Sequence, residues 1–248
     1  MTHAPTRVAI YDLDRTVTRY PTYSLFLLRT AWRTAPARLV LAPLVPLLML
    51  LYAARLIPRG RLKEWMWALL LGRVDPAQME SAVADFTDHV LRDNICPGAL
   101  RQIARDRDAG TMLVMATAAH EIYAVPIAQA LGFNLVVATR CSTGANGRHG
   151  PALSGGNVYG EAKLAALIRA MEQLPLDRAR LSITFYSDSA SDAPVFGWCD
   201  VPVAVNPSKR LERLAAERGW VVEDWSVDEV RPRPASWRSF KSAAMGQL

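Results

Sequence analysis

Short apolar runs recur along the chain at the length of buried β-strands, and the segments between the later runs have the spacing of amphipathic helices. The runs predict five strands, at Val8–Tyr11, Met112–Ala116, Leu135–Thr139, Leu181–Tyr186 and Val201–Val205. The intervening patterns predict helices at Gly98–Arg107, Glu121–Leu131, Glu161–Gln173 and Lys209–Arg218. Alternation of strands with helices indicates an α/β fold in which right-handed crossovers join the strands of a parallel sheet.

The first crossover is far longer than one helix requires. The first strand ends at Asp12 and the second begins near Thr111, so roughly a hundred residues separate them. We therefore expect a core domain formed by residues 1–17 and 96–225, interrupted by a helical insertion at 18–95.

Two later segments depart from the strand and helix pattern. The glycine-rich stretch Cys141–Gly160 predicts a loop or a small flap. The tail at 226–248 is basic and has no acidic residue after Glu229. Such a tail could contact a membrane surface. We favour the alternative that it is disordered or packed on the surface of the core.

Composition and charge narrow the class of protein. Of the 248 residues, 51% are hydrophobic and 21% are charged, which excludes disorder for most of the chain. The formal net charge of +6 agrees with an anionic partner, either nucleic acid, an anionic bilayer or a phosphorylated substrate, but also with an ordinary basic protein. The three cysteines have no metal-ligand spacing, and Met1–Thr6 is too short and polar for a signal peptide, so we expect reduced thiols in a cytoplasmic protein.

Candidate chemistry begins where the first strand ends. Asp12 and Asp14 stand two residues apart after the strand, and ligands of open parallel sheets bind at the carboxyl ends of strands. Paired carboxylates can divide the work of phosphoryl transfer, because one attacks phosphorus while the other protonates the leaving oxygen and later activates water.

Three further groups follow later strands or begin a helix. Thr117 ends the second strand and could hold a phosphate oxygen, and Lys163 could stabilise an anionic transition state. Asp188 and Asp192 follow the strand at Leu181–Tyr186. Carboxylates beside a phosphate repel it unless a hard cation lies between them, so the pattern predicts Mg²⁺ as a cofactor.

These motifs, in this order, resemble those of the haloacid-dehalogenase (HAD) phosphatases, in particular the phosphoserine-phosphatase-like subfamily IB. The family order is Asp-x-Asp-x-Thr, then Thr or Ser, then Lys, then an Asp pair, and the matching residues here are Asp12, Asp14, Thr16, Thr117, Lys163, Asp188 and Asp192. The resemblance extends from about Val8 to Asn206. It implies a Rossmann-like core with an inserted helical cap of the C1 type.

The resemblance also implies a role for each matching residue. Asp12 would form an aspartyl-phosphate, and Asp14 would be the general acid and base. Thr117 and Lys163 would bind the phosphoryl group. Asp12, the backbone carbonyl of Asp14, and Asp188 would hold Mg²⁺. Thr16 would support the site, and Asp192 would support Lys163 or a metal-bound water.

The sequence departs from the family pattern at three places. Arg15 replaces the usual glycine after Asp14, and Ser187 replaces the glycine before Asp188. Thr117 is followed by two alanines rather than small polar residues. These differences leave the chemistry intact and concern the geometry of the loops.

The insertion contains an apolar segment, Leu39–Ile57, that is interrupted only by Pro43, Pro46 and Arg55. Its length approaches the ~20 residues of a membrane-spanning helix, and basic residues and tryptophans flank it. A single span would put Asp12 and the later motifs on opposite sides of the membrane. The segment is therefore a re-entrant hairpin, an interfacial helix or a buried element, and the prolines favour a hairpin or two short helices. A buried segment would be either the core of the cap or a dimer interface.

The cap also resembles that of the bacterial phosphatidylglycerophosphatases of the HAD type, which implies a lipid phosphate as substrate. We therefore predict an Mg²⁺-dependent phosphomonoester hydrolase at the anionic inner face of a membrane, with no nucleic-acid partner. The alternatives are a soluble phosphatase for a small metabolite such as phosphoserine, and a non-catalytic membrane-binding module. His120, three residues after Thr117, could line the pocket, but we favour a surface position at a helix start.

Overall fold

A central sheet organises the chain, which a computed structural model describes at residues 5–144, 146–174, 177–226 and 232–233. Within these residues the sheet has eight strands in the order β4-β3-β2-β1-β5-β6-β7-β8. The strands are β1 (Thr6–Tyr11), β2 (Met112–His120), β3 (Leu135–Thr143), β4 (His149–Ser154), β5 (Leu181–Ser187), β6 (Val201–Val205), β7 (Val221–Glu223) and β8 (Pro232–Arg233). The six inner strands, which in spatial order are β3, β2, β1, β5, β6 and β7, pair in parallel. The two outermost strands are antiparallel to their neighbours, β4 to β3 and β8 to β7.

The helices connect these strands and form the insertion. They are α1 (Thr22–Thr34), α2 (Val45–Ala53), α3 (Arg59–Leu70), α4 (Pro76–Asp93), α5 (Pro97–Asp108), α6 (Glu121–Ala130), α7 (Glu161–Glu172), α8 (Ala193–Trp198) and α9 (Lys209–Arg218). Local chemistry sets several ends: Asp75 accepts a hydrogen bond from the N–H of Ala77 before α4, and Gly219 ends α9 with a φ of 66°.

The α/β fold with a largely parallel sheet is confirmed, with differences at the edges. β2 continues past Ala116 to His120, and the register to β3 shifts in that stretch. The predicted flap at Cys141–Gly160 contains an antiparallel pair, because β3 extends to Thr143 and β4 folds back on it. The sequence pattern did not reveal β4, because its residues, His-Gly-Pro-Ala-Leu-Ser, lack the β-branched alternation of a strand.

Alternation along β1 places apolar side chains on both faces of the sheet. Ala9 and Tyr11 belong to the apolar cluster that continues into the insertion, and Val8 and Ile10 belong to the cluster under α7, α8 and α9. Both faces are therefore covered, which explains why β1 is a continuous apolar run.

The insertion leaves and rejoins the core at adjacent points. Thr18 and Ile95 form an antiparallel bridge, and the N–H of Arg19 donates to the carbonyl of Asn94 at 2.8 Å. Helices α1 to α4 lie between these connections, and we call them the cap.

The apolar segment of the cap forms two short helices in succession. A 3₁₀-helix at Pro36–Leu44 leads directly into α2, with Pro46 in the first turn of α2, where a missing N–H costs little. One side packs on α1 and α3, but no residue of Pro36–Ala53 is fully buried. Of the alternatives, full burial in the core of the cap is therefore wrong for these residues. By length and composition this helical run would be sufficient to cross a membrane.

Most of the C-terminal tail predicted at 226–248 lies outside the described residues. Pro232–Arg233 forms β8, which pairs with β7 at the edge of the sheet.

Candidate active site

Asp12 occupies the central position at the carboxyl edge of the sheet. Its N–H donates to the carbonyl of Tyr186 at 2.9 Å, which continues the pairing of β1 with β5 by one residue. The next residues, Leu13–Val17, make a single turn in which Arg15 has φ 62° and ψ 2°. This left-handed conformation explains why the family has glycine at that position, and Arg15 adopts it in an exposed loop.

Lys163 joins the first and last motifs. It lies in the first turn of α7, is 2% exposed, and its Nζ donates to Oδ1 of Asp12 at 3.1 Å and to Oδ2 of Asp192 at 2.7 Å. Ser187 donates to the same Oδ2 at 2.7 Å. The serine that replaces the family's glycine thus helps to orient Asp192.

Burial concentrates negative charge around this lysine. Burial raises the pKa of Asp12 to about 6, with Lys163 opposing the shift and Asp192 adding to it. Burial also raises the pKa of Asp188 to about 7, and the charges of Asp12 and Asp192 act in the same direction. Burial opposes the charge of Lys163, but the carboxylates of Asp12 and Asp192 outweigh it and raise the pKa of the ammonium. One lysine therefore faces more carboxylates than it can neutralise.

Asp14 is held by the cap. Its Oδ1 accepts hydrogen bonds from the N–H and the hydroxyl of Thr22, each at 2.7 Å. Thr22 is the first residue of α1, and its hydroxyl also lies 3.2 Å from that of Tyr123. The sequence analysis missed Thr22, because no local pattern connects the start of a cap helix with a carboxylate eight residues earlier.

Two threonines of the motifs are buried beside the carboxylates. The Oγ1 of Thr117 accepts a hydrogen bond from the N–H of Ala119 at 3.0 Å, which leaves its hydroxyl hydrogen available for a phosphate oxygen. The Oγ1 of Thr16 is buried and has no hydrogen-bond partner among the described residues. Both lie in the turn or strand where the motifs predicted them.

Lys63 in α3 is a second missed residue. It is 6% exposed, and its Nζ donates to the carbonyl of Ala118 and, at 2.8 Å, to Oδ1 of Asn157 in the flap. Burial lowers its pKa to about 7, and the charge of Arg59 acts in the same direction. This buried lysine, which has no carboxylate partner at hydrogen-bond distance among the described residues, therefore links the cap, the strand end after Thr117 and the flap.

The expectation of a surface position for His120 is wrong. Its ring is fully buried between Tyr23 and Trp67, with centroid distances of 5.0 and 5.3 Å. Neither ring nitrogen has a hydrogen-bond partner among the described residues. Burial lowers its pKa to about 3, assisted by the charge of Lys63, so the ring is neutral.

The donor set at the sheet edge fits a hard cation that completes its coordination with backbone oxygen and water. Within the described residues no three His, Cys, Asp or Glu side chains form a ligand cluster by themselves. Mg²⁺ is commonly held by one or two carboxylates, with water and substrate phosphate filling the remaining positions. Asp12 and Asp188 supply such a pair of carboxylates, and the charge of Asp12 helps to raise the pKa of Asp188.

Known proteins resemble the chain over much of its length. The sequence profile of the haloacid dehalogenase-like hydrolases matches residues 9–196. A Mycobacterium tuberculosis (strain ATCC 25618 / H37Rv) protein named phosphoserine phosphatase SerB1 is 30% identical over 153 residues, which are 61% of this chain and 48% of the relative. The chain thus spans about half the length of that relative.

Two further proteins are similar over nearly the whole chain. The "inhibition of morphological differentiation protein" of Streptomyces azureus is 30% identical over 257 residues, covering 93% of this chain and 86% of its own. A crystal structure of a protein with unknown function from Bordetella pertussis Tohama I is 27% identical, has a TM-score of 0.78, and covers 88% of this chain and 98% of its own. The second likeness includes the cap as well as the sheet.

Proposed function

The chain belongs to the haloacid dehalogenase-like hydrolases, and we propose that it is an Mg²⁺-dependent phosphatase that acts on a lipid phosphate through an aspartyl-phosphate intermediate. The observation that carries the phosphatase proposal is the position of Lys163, whose ammonium contacts both Asp12 and Asp192 in a buried site. A buried carboxylate with its counter-ion in place, at the carboxyl edge of a parallel sheet, is suited to attack an anionic phosphoryl group.

Asp12 is the nucleophile in this mechanism. A carboxylate oxygen of Asp12 forms a bond to phosphorus while the bond from phosphorus to the leaving alcohol oxygen breaks. Asp14 gives its proton to that oxygen, and the alcohol departs. Because the pKa of Asp12 is about 6, its carboxylate is mostly ionised at neutral pH and ready to attack.

Asp14 then reverses its role. Its carboxylate takes a proton from a water molecule, whose oxygen attacks phosphorus, and the bond from phosphorus to Asp12 breaks to release phosphate. Lys163 and Thr117 bind the phosphoryl oxygens, and Asp192 positions Lys163. Thr22 orients Asp14 through its two hydrogen bonds.

The metal complements these residues. Asp12, the backbone carbonyl of Asp14, and Asp188 would hold Mg²⁺, whose charge would offset the repulsion between the carboxylates and the phosphate. Thr16 lies buried in the turn that carries Asp14.

The lipid part of the proposal rests on the exposed apolar surface of the cap. Large apolar side chains of the segment remain exposed, namely Val40, Leu44, Leu47, Met49, Leu50 and Leu56. Several exposed large apolar side chains in one segment indicate an interaction site, and a bilayer interface accommodates them without a partner protein. The second candidate, a soluble phosphatase for a small metabolite, is favoured by the relative named as a phosphoserine phosphatase.

Phosphate release with and without Mg²⁺ tests the chemistry. The substrates are phosphatidylglycerol phosphate in mixed micelles, phosphoserine and an aryl phosphate. We expect Asp12→Asn to abolish release from every substrate, whereas Asp108→Asn, an exposed control on α5, leaves it unchanged. Release that persists in Asp12→Asn contradicts the mechanism.

A second pair of variants tests the lipid substrate. Leu47→Gln with Leu50→Gln should lower release from the micellar lipid and leave hydrolysis of the aryl phosphate unchanged. Leu100→Gln, which alters an exposed leucine on α5, is the control. Release from soluble esters alone would favour the metabolite phosphatase.

A further inference from the structure

A cleft lined by three arginines lies between the cap and the flap and shares no residue with the active site. Arg38, Arg73 and Arg148 line it together with Gly72, Ser142 and neighbouring residues, and its volume is about 650 Å³. In the described part of the chain, no aspartate or glutamate lines this arginine cleft.

The charges of the arginine cleft differ from those of two arginines of α1. Arg29 and Arg33 share the carboxylate of Asp85 at 3.0 Å, which offsets part of their charge within the protein. The side chains of Arg73 and Arg148 are exposed and make no hydrogen bond or ion pair with the residues that the structure describes. Three guanidinium groups of like sign in one concave surface favour an anion there.

Backbone contacts hold the two walls of the cleft together. The N–H groups of Val74 and His149 each donate to the other residue's carbonyl at 3.2 Å. These two bonds join the connection between α3 and α4 of the cap to the flap. Gly72 has φ +65°, and a Cβ there would lie 2.8 Å from Nη2 of Arg38. Glycine therefore leaves room for this guanidinium group.

Arg38 connects the cleft with the exposed apolar segment. It lies in the 3₁₀-helix Pro36–Leu44, and its Nη1 donates to the carbonyls of Ala68 and Leu69 at 2.8 and 3.2 Å. An apolar surface that inserts into a bilayer interface brings the basic residues beside it to the depth of the headgroups. Guanidinium groups bind phosphate through paired hydrogen bonds.

We propose that the arginine cleft binds the phosphate of an anionic phospholipid that is not the substrate, and thereby anchors the cap on the bilayer. The inference rests on the membrane part of the proposed function and adds a second phosphate site to it. A free phosphate ion shares the chemistry of the headgroup, but the cleft's position beside the apolar segment favours the lipid.

Co-sedimentation of the full chain with vesicles tests the cleft. The vesicles are phosphatidylcholine alone or phosphatidylcholine mixed with phosphatidylglycerol. The double variant Arg73→Gln/Arg148→Gln should bind the anionic vesicles about thirtyfold more weakly, from the typical contribution of two basic residues near such a surface. The control Arg210→Gln/Arg218→Gln removes two exposed arginines of α9 and should change binding less than about twofold.

Two outcomes would overturn the inference. One is an equal loss of vesicle binding in the control variant, which would show that binding depends on net charge rather than on the cleft. The other is a cleft variant that binds the anionic vesicles as tightly as the wild type does. The inference also fails in that case if calorimetry shows that inorganic phosphate binds the wild type and not the variant, because the cleft would then bind a free ion rather than a lipid. Hydrolysis of the aryl phosphate, expected to be equal in all three proteins, reports separately on the catalytic proposal, because vesicle binding does not require turnover.

Discussion

The N–H and the hydroxyl of Thr22 both donate to Oδ1 of Asp14, each at 2.7 Å. Thr22 begins the first cap helix, whereas Asp14 belongs to the turn after the first core strand. The proposed acid and base is thus oriented by the cap, and the position of α1 is coupled to the chemistry.

Thr22→Val removes the hydroxyl from this pair and leaves the backbone bond in place. A hydrogen bond to a charged group contributes about 1.5–3 kcal/mol, so we expect kcat to fall on the order of tenfold or more. Thr22→Ser should retain most of the activity. Thr34→Val, at the other end of α1, is the control, because in the described part of the chain the hydroxyl of Thr34 bonds only to the carbonyl of Thr30. Steady-state phosphate release measures all three, and equal rates for Thr22→Val and the wild type would contradict the role of Thr22.

Lys63→Met should separate activity from stability. The methionine retains the apolar stem but loses the ammonium that contacts Ala118 and Asn157. Removing a buried charge without a carboxylate partner offsets the lost hydrogen bonds, so we expect the free energy of unfolding to change by less than about 1 kcal/mol. We expect kcat/KM to fall about tenfold, because the strand end after Thr117 loses its link to the cap. Urea titration and phosphate release measure the two effects, and a variant with full activity would show that the link is dispensable.

Asp188 makes stability depend on pH in the metal-free protein. Its pKa in the folded state is about 7, above the ordinary value of 3.8, so the folded protein holds a proton that the unfolded chain releases. The resulting stabilisation is present below the unfolded pKa and is lost as pH rises towards 7. As pH rises from about 4 to about 7, we expect the free energy of unfolding of the wild type to fall relative to that of Asp188→Asn. Urea titrations in chelator check this, and Mg²⁺ should restore wild-type stability at the higher pH.

His120→Phe tests the buried neutral ring. Phenylalanine keeps the stacking with Tyr23 and Trp67 and removes two buried nitrogens that have no hydrogen-bond partner among the residues the structure describes. We therefore expect the free energy of unfolding to rise by about 1–2 kcal/mol. Because the pKa of His120 is lowered to about 3, its contribution is present above the unfolded pKa of 6.5 and is lost as pH falls from there towards 3. The variant should therefore lose less stability than the wild type over that range. Thermal or urea unfolding at several pH values measures this, and a destabilised variant would indicate that the nitrogens have partners in solution.

Much of the core was predictable from the sequence, because its signals are local. Buried parallel strands are continuous apolar runs, and the residues that follow them meet at one edge of the sheet. Asp12 and Asp188 were therefore expected at one site from the strand pattern alone. The edge strand β4 was not, because a short, polar, glycine-containing strand gains its pairing from β3 rather than from its own pattern.

The sequence by itself determined the α/β core, the long insertion and the order of the proposed catalytic residues, since each depends on periodicity or on spacing within a few residues. Only the tertiary structure decided that Thr22 contacts Asp14 and that Lys63 contacts the strand end after Thr117. It also decided that His120 is buried and that Arg38, Arg73 and Arg148 share a cleft. These relationships arise where the cap packs on the core and flap. Such packing brings together residues that are far apart in the chain. Its stability depends on how closely whole surfaces fit one another, which no local sequence pattern encodes.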